Sequence, residues 1–147
     1  VNTSSSSQRL LRNVTLADFE TTERRRPSTA YALAKLANIL FTRELHRRYH
    51  ADGLAAAVVH PGFVNTNIGH SSGSRFLTTM QRTPVSRLIK TPDQGAEQLV
   101  WLASSTPGVD WAPGEYYAKG KVARANRAAD DPVLARELWD CTLARVV

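Results

Sequence analysis

Tyr31 and Lys35 stand four residues apart in the segment Tyr31-Ala-Leu-Ala-Lys35. On a helix that spacing leaves the two side chains about 40° apart and within reach of each other. A phenol ionises near pH ~10, too high to exchange protons readily at neutral pH. An ammonium one turn away favours the phenolate and brings the phenol toward the working range, which would suit Tyr31 to general acid or base chemistry. A bare Tyr-x-x-x-Lys spacing also arises by accident on solvated helices, so its meaning depends on what surrounds it.

Other groups offer chemistry of their own. The run Ser4-Ser5-Ser6-Ser7 supplies hydroxyls early in the chain. His60-Pro61-Gly62-Phe63-Val64-Asn65-Thr66 follows a short apolar run, at the place where open α/β sheets put their ligands. There Gly62 lets backbone approach a ligand, Val64 can offer main-chain groups, and Thr66 can give a hydroxyl to a phosphate. His46 and His50 are spaced i, i+4 and could share a metal, but no third ligand lies nearby in sequence, and a solvated helix end is the plainer reading. Phe76, Leu77 and Met80 either line an apolar substrate mouth or pack a flap. Trp101, Trp111 and Trp139 read as packing residues. Asn2-Thr-Ser and Asn13-Val-Thr are glycosylation triplets, with nothing beside them to suggest secretion.

The elements that must position these groups follow from pattern. Asn2-Thr3 reads as a strand end, and the residues up to Pro27 as a connection of about 20 residues, a length that is usually functional or mobile. Leu33, Leu36, Ala37, Leu40 and Phe41 recur at helical spacing after a Ser28 or Thr29 cap, which predicts a helix over Thr29–Tyr49. Arg43, Arg47 and Arg48 suit its carboxyl end, and Asp52-Gly53 closes it. Leu54–Val59 is continuously apolar, as in a parallel strand buried on both faces. Residues 65–90, rich in Ser, Thr and Gly, read as a long flap with room for one short helix. Thr91-Pro92-Asp93-Gln94 is a capping box that opens a helix whose buried stripe would be Ala96, Leu99, Val100 and Ala103. Gly114–Lys119 reads as a strand, and Asp131-Pro132 opens a last helix through about Ala144, with Leu134, Leu138 and Cys141 on one face. The rhythm is that of a doubly wound α/β sheet.

The 147 residues, 42% hydrophobic and 22% charged, suit one globular domain. Cys141 is the single cysteine, so no disulfide framework exists, and a cytoplasmic location is expected. No apolar run approaches the ~18 residues of a membrane span. The net charge of +6 comes from scattered arginines, and the densest run, Arg24-Arg25-Arg26, lacks interleaved aromatics. Nucleic acid is therefore not the expected partner. The chain starts at Val1 with Met80 its one methionine, which suggests a fragment.

Taken in order, Asn2-Thr3-Ser4-Ser5, Tyr31-Ala-Leu-Ala-Lys35-Leu-Ala-Asn38, His60-Pro61-Gly62-Phe63-Val64-Asn65-Thr66 and Gly114-Glu-Tyr-Tyr117 resemble the second half of the short-chain dehydrogenase/reductase family. The stretch Lys35-Leu-Ala-Asn-Ile-Leu-Phe-Thr-Arg-Glu-Leu45 is most similar to its retinol-dehydrogenase-like branch. The resemblance covers nearly the whole chain. It implies that residues 1–147 are the C-terminal, catalytic and substrate-side part of one Rossmann-type domain whose N-terminal cofactor-binding half lies upstream.

The same resemblance implies the roles. Tyr31 would exchange a proton with an alcohol or carbonyl oxygen. Lys35 would support it and hold the ribose hydroxyls of NADP or NAD, with NADP favoured. Ser5, the second of the Ser-Ser pair, would hydrogen-bond the substrate oxygen. Pro61, Gly62, Val64 and Thr66 would border the nicotinamide and phosphates. The substrate would be a small alcohol/carbonyl pair of lipophilic character, and a homodimer through the helix of Tyr31 is consistent with the family. Departures exist: the Gly-rich phosphate loop and the relay asparagine of the preceding helix are not in this sequence, and Thr3 replaces an apolar strand residue. Two alternatives follow, a non-catalytic remnant that acts as a binding surface and a sugar-nucleotide epimerase or dehydratase. The short tail after Tyr117 speaks against the second.

Overall fold

A computed structural model describes residues 1–64 and 90–146. Four strands form one sheet in the order β1 (Asn2–Thr3), β2 (Val58–His60), β3 (Tyr116–Ala118) and β4 (Lys121–Val122). The first three are parallel, with Thr3 opposite Val59 and Val59 opposite Tyr117. The fourth is an antiparallel addition that the apolar pattern does not predict. It exists because Lys119 and Gly120 both take positive φ, 55° and 74°, which is the backbone of a two-residue hairpin turn. Among the described residues the α/β expectation holds, with helices on both faces of a mostly parallel sheet.

Among the described residues the α-helices are α1 (Leu16–Glu20), α2 (Pro27–Tyr49), α3 (Pro92–Ser104) and α4 (Pro132–Val146). Alternate strand residues face opposite sides, and this divides the core. Val58 and Tyr116 join Leu36, Ile39 and Leu40 of α2 and Leu134 and Ala135 of α4. Ala57, Val59 and Tyr117 join Leu102 of α3 and Trp111. Burying a Leu or Ile in such a layer contributes about 1.5–3 kcal/mol each.

Several boundaries and faces differ from the pattern. α2 starts at Pro27, because proline suits the first helical position, and Arg26 precedes it without a side-chain cap. The segment ahead of it is not bare loop: it holds 3-10 turns at Ser6–Leu10 and Thr22–Arg24 as well as α1. Strand pairing of β2 starts only at Val58, although Ala56 and Ala57 are already buried.

On α2, Phe41 is 42% exposed and stacks on Trp139 at 5.2 Å, while Thr42 and Glu44 are buried in its stead. On α3 the expected Thr91–Gln94 capping box forms, but the buried face is Gly95, Gln98 and Leu102. Val100 is 60% exposed, and Ala96 and Ala103 also face out. The reason is a close approach: a Cβ at Gly95 would stand 2.5 Å from Val64 Cγ2, so the helix turns its side-chain-free position toward the chain after β2. Counting apolar residues gives Gly95 and Gln98 no weight. Among the described helices none is long and apolar enough to cross a membrane.

Candidate active site

The carboxyl end of β1 meets the middle of α2 through three consecutive residues, Asn2, Thr3 and Ser4, and about two turns of helix. Asn2 Nδ2 donates to Thr42 Oγ1 at 3.0 Å, and Asn38 Nδ2 donates to the Thr3 carbonyl at 2.8 Å. Ser4 Oγ donates to the Lys35 carbonyl at 2.6 Å. Thr42 in turn donates to the Asn38 carbonyl at 2.6 Å. Ser4 and Thr42 are buried, so these bonds are shielded from competing water.

This seam places the expected pair. Ala32, Leu33, Leu36, Ile39 and Leu40 turn inward, which leaves Tyr31 and Lys35 off the core face. Tyr31 is 47% exposed, and Lys35 Nζ lies 5.6 Å from the centre of its ring. The same Nζ reaches the Thr3 carbonyl at 3.5 Å. Of the two serines, Ser4 is committed to the helix, whereas Ser5 is partly exposed and caps the turn Ser6–Leu10 by accepting from Ser7 N at 3.3 Å. An accepting hydroxyl keeps its own hydrogen for another partner. Ser5 is thus the serine available to a ligand, and its neighbour's bond to Lys35 fixes where it stands.

The second arm follows β2. Pro61, Gly62 and Val64 leave the strand at its carboxyl end, with Gly62 at φ 97°. Val64 bridges to Lys90, whose N–H donates to the Phe63 carbonyl at 2.7 Å. The aliphatic part of Lys90 runs along Gly62, 3.4 Å from where a Cβ would be. Thr66, together with Phe76, Leu77 and Met80, lies outside the described residues. The structure therefore gathers Tyr31, Lys35 and the Ser4-Ser5 turn at one seam and puts Pro61, Gly62 and Val64 at the adjacent strand end.

Three groups near this strand end carry no assigned role in the sequence reading. His60 Nδ1 is buried without a protein partner. Burial, and then the charges of Arg9 and Lys90, hold this imidazole below its ordinary pKa, so it is neutral at neutral pH. Gln8 and Tyr116 are also buried, and their Nε2 and OH lack partners. Lys90 had no sequence signal, because 28 residues separate it from Gly62 (90 − 62 = 28). Asn38 did have one, an amide at i+3 from Lys35 on the same helix face.

Of the histidine pair, His50 is exposed at the end of α2, as a solvated helix end would be, but His46 is not. His46 and His50 rings lie 4.4 Å apart, yet His46 packs onto Gly114, where a Cβ would come within 2.6 Å of its Cδ2. No cluster of three metal-ligating side chains exists among the described residues.

No protein-family model matches the chain. Individual proteins do. It is 37% identical over 129 residues to human retinol dehydrogenase 14, covering 87% of this chain and 38% of that protein. It is 32% identical over 113 residues to human dehydrogenase/reductase SDR family member 13, covering 77% of this chain and 30% of that protein. In structure it matches an uncharacterized protein from Mycobacterium paratuberculosis, with a TM-score of 0.62 and 29% identity over 94% of this chain and 46% of the other. The chain thus spans less than two fifths of the length of these two curated relatives. Over the length it shares with them, by sequence and by fold, the chain is similar to the short-chain dehydrogenases/reductases, the retinol dehydrogenases among them.

Proposed function

We propose that this chain supplies the catalytic side of an oxidoreductase that passes hydride between NAD(P) and an alcohol/carbonyl substrate. The observation that carries the reading is the half-exposed Tyr31 phenol with the Lys35 ammonium 5.6 Å from its ring, at the seam where Ser5 leaves β1. In the direction of reduction Tyr31 gives its proton to the carbonyl oxygen; in oxidation it takes the proton of the alcohol. Lys35 balances the negative charge left on the phenol oxygen. Ser5 donates to the substrate oxygen and favours charge that develops there.

A bound nicotinamide supplies the hydride acceptor or donor. The residues present fit such a group. Lysine carries three donors, and the long 3.5 Å contact of Lys35 to Thr3 leaves donors for ribose hydroxyls. Gly62, with its positive φ, exposes backbone at the strand end, and Lys90 beside it puts a cation within reach of a phosphate. NADP is the preferred form, and parallel titrations with NADPH and NADH decide between the two. The relatives named for retinol act on an apolar alcohol, so a lipophilic alcohol or aldehyde is the substrate class proposed here. A cytoplasmic location and pairing of two copies along α2 belong to the same reading, and gel filtration of the whole protein tests the pairing.

The decisive experiment replaces Tyr31 by Phe in the whole protein that carries this chain. Turnover of an apolar alcohol or aldehyde should fall by about a hundredfold or more, with nicotinamide binding kept. Undiminished turnover in Tyr31→Phe overturns the assignment. Binding of the nicotinamide without turnover in the parent protein favours the non-catalytic alternative.

A further inference from the structure

The bonds around Thr3 point beyond the Tyr31–Lys35 pair. Asn2 N and Ser4 N donate to the carbonyls of Ala57 and Val59 on β2, each at 2.8 Å. Strand residues alternate in direction, so the Thr3 carbonyl between them faces the opposite edge of β1. Two side chains of α2 reach that oxygen. Asn38 Nδ2 makes the short bond, 2.8 Å, and Lys35 Nζ the long one, 3.5 Å. The carbonyl has a second lone pair, but the amide takes the well-formed bond and leaves the ammonium only a contact at the limit of hydrogen-bond length.

We infer that Asn38 is a positioning residue for Lys35: by holding the Thr3 carbonyl with its own amide, it keeps the Lys35 ammonium from closing onto that oxygen and leaves it beside Tyr31. The inference rests on the proposed roles of Tyr31 and Lys35.

The physical reason is competition for one acceptor. A charged donor makes shorter and stronger bonds than a neutral amide. With Asn38 in place, the amide occupies the good geometry and Lys35 stays at arm's length, 5.6 Å from the Tyr31 ring centre. Without it, the ammonium is the remaining donor on α2 recorded at that carbonyl, and it moves toward Thr3 and away from the phenol. Asn38 is itself held: Thr42 Oγ1 donates to its carbonyl at 2.6 Å, and Asn2 Nδ2 donates to Thr42 Oγ1 at 3.0 Å. The amide therefore has a fixed base to reach from, and a side chain in such a frame controls its neighbour more tightly than a free one.

The test uses the whole protein with Asn38→Leu, Asn38→Asp and Asn38→Gln. Leu fills space without a donor, Asp keeps the shape but not the donor, and Gln keeps the donor. The first readout needs no turnover: the ultraviolet ionisation transition of Tyr31, taken as the difference from Tyr31→Phe. It should move up by about half a pH unit or more in Asn38→Leu and Asn38→Asp, and return toward the parent in Asn38→Gln. Alongside, kcat for an apolar alcohol should fall about tenfold in the first two, with KM changed less than about twofold.

A Tyr31 transition at the parent's pH in a folded Asn38→Leu or Asn38→Asp protein overturns the inference. If Asn38→Leu does not fold, Asn38→Ala, which also lacks the donor and adds no charge, decides in its place. Turnover undisturbed by Tyr31→Phe would instead sink the catalytic reading, and the Tyr31 transition would still decide whether Asn38 positions Lys35.

Discussion

The two faces of the sheet are held in different ways. On the side of α2, the end of β1 is tied by side-chain to main-chain hydrogen bonds, Ser4 to Lys35 and Asn38 to Thr3, with Asn2 bonded to Thr42 beside them. On the side of α3, the contact is apolar: Leu102 enters a layer of Ala57, Val59, Trp111 and Tyr117, and Trp101 sets its edge on Tyr117 at 5.8 Å. Apolar burial is strong but non-directional. A hydrogen bond contributes only about 1 kcal/mol net, yet it fixes two atoms to each other in distance and angle. Both faces are held by apolar burial, but only the side that carries Tyr31 and Lys35 adds these directional ties at the end of β1, so the division between the faces is one of directionality.

That division can be broken by experiment. Leu102→Ala should carry the largest effect on stability, a loss of about 3 kcal/mol from the cavity it leaves, measured by chemical denaturation. Turnover per folded molecule should stay near the parent's, because no atom of the β1–α2 seam moves. A tenfold drop in that rate would show that the α3 face also places the site. Ser4→Ala should show the reverse proportion: about 1 kcal/mol of stability, read the same way, but a loss of about tenfold in kcat, since Ser5 and the Lys35 backbone lose their tie. A change in stability alone would reduce Ser4 to a packing residue.

The smallest effect is electrostatic. Burial, followed by the charge of His50, holds His46 below its ordinary pKa, with Glu115 opposing. The folded chain thus binds fewer protons there than the unfolded chain. The neutral imidazole's contribution is complete above about pH 6.5 and is lost as pH falls through the lower folded value. His60 adds in the same direction, again through burial first. Denaturation midpoints taken between about pH 7.5 and about pH 5 should fall, and His46→Asn should flatten the slope. A slope unchanged by that substitution would remove His46 as its source.

How far the sequence reached varies by element, for physical reasons. α2 was legible because Leu33, Leu36 and Leu40 repeat at helical spacing, and α3 announced its start through the Thr91–Gln94 box. Its buried face was not legible, because Gly95 and Gln98 contribute contact geometry rather than hydrophobicity. Phe41 misled in the other direction: its apolar ring satisfies itself on Trp139 at the surface. At the site, the Tyr31–Lys35 spacing could be read because the helix dictates it. The contact between Lys90 and Gly62 could not, since only the folded chain brings positions so far apart in sequence together. The spacing alone does not separate Ser5 from Ser4, and the difference between them, Ser4 buried on the Lys35 carbonyl and Ser5 partly exposed, exists only in the folded chain.

The lock between β1 and α2 has a consequence for variation of this protein. Its atoms come from residues 2–4 and 35–42, so the 22 residues from Ser5 to Arg26 inclusive contribute none of its bonds. The entropy of closing a loop grows slowly with length, by about 0.6 kcal/mol for each doubling. Insertions or deletions at its exposed positions, Arg12-Asn13 and Glu23 to Arg26, therefore leave Tyr31 and Lys35 where they are, while Ser5 and the buried Gln8, bonded to Asn126, keep their places. Surface length can vary at these positions while the lock holds the Tyr31–Lys35 pair constant behind them.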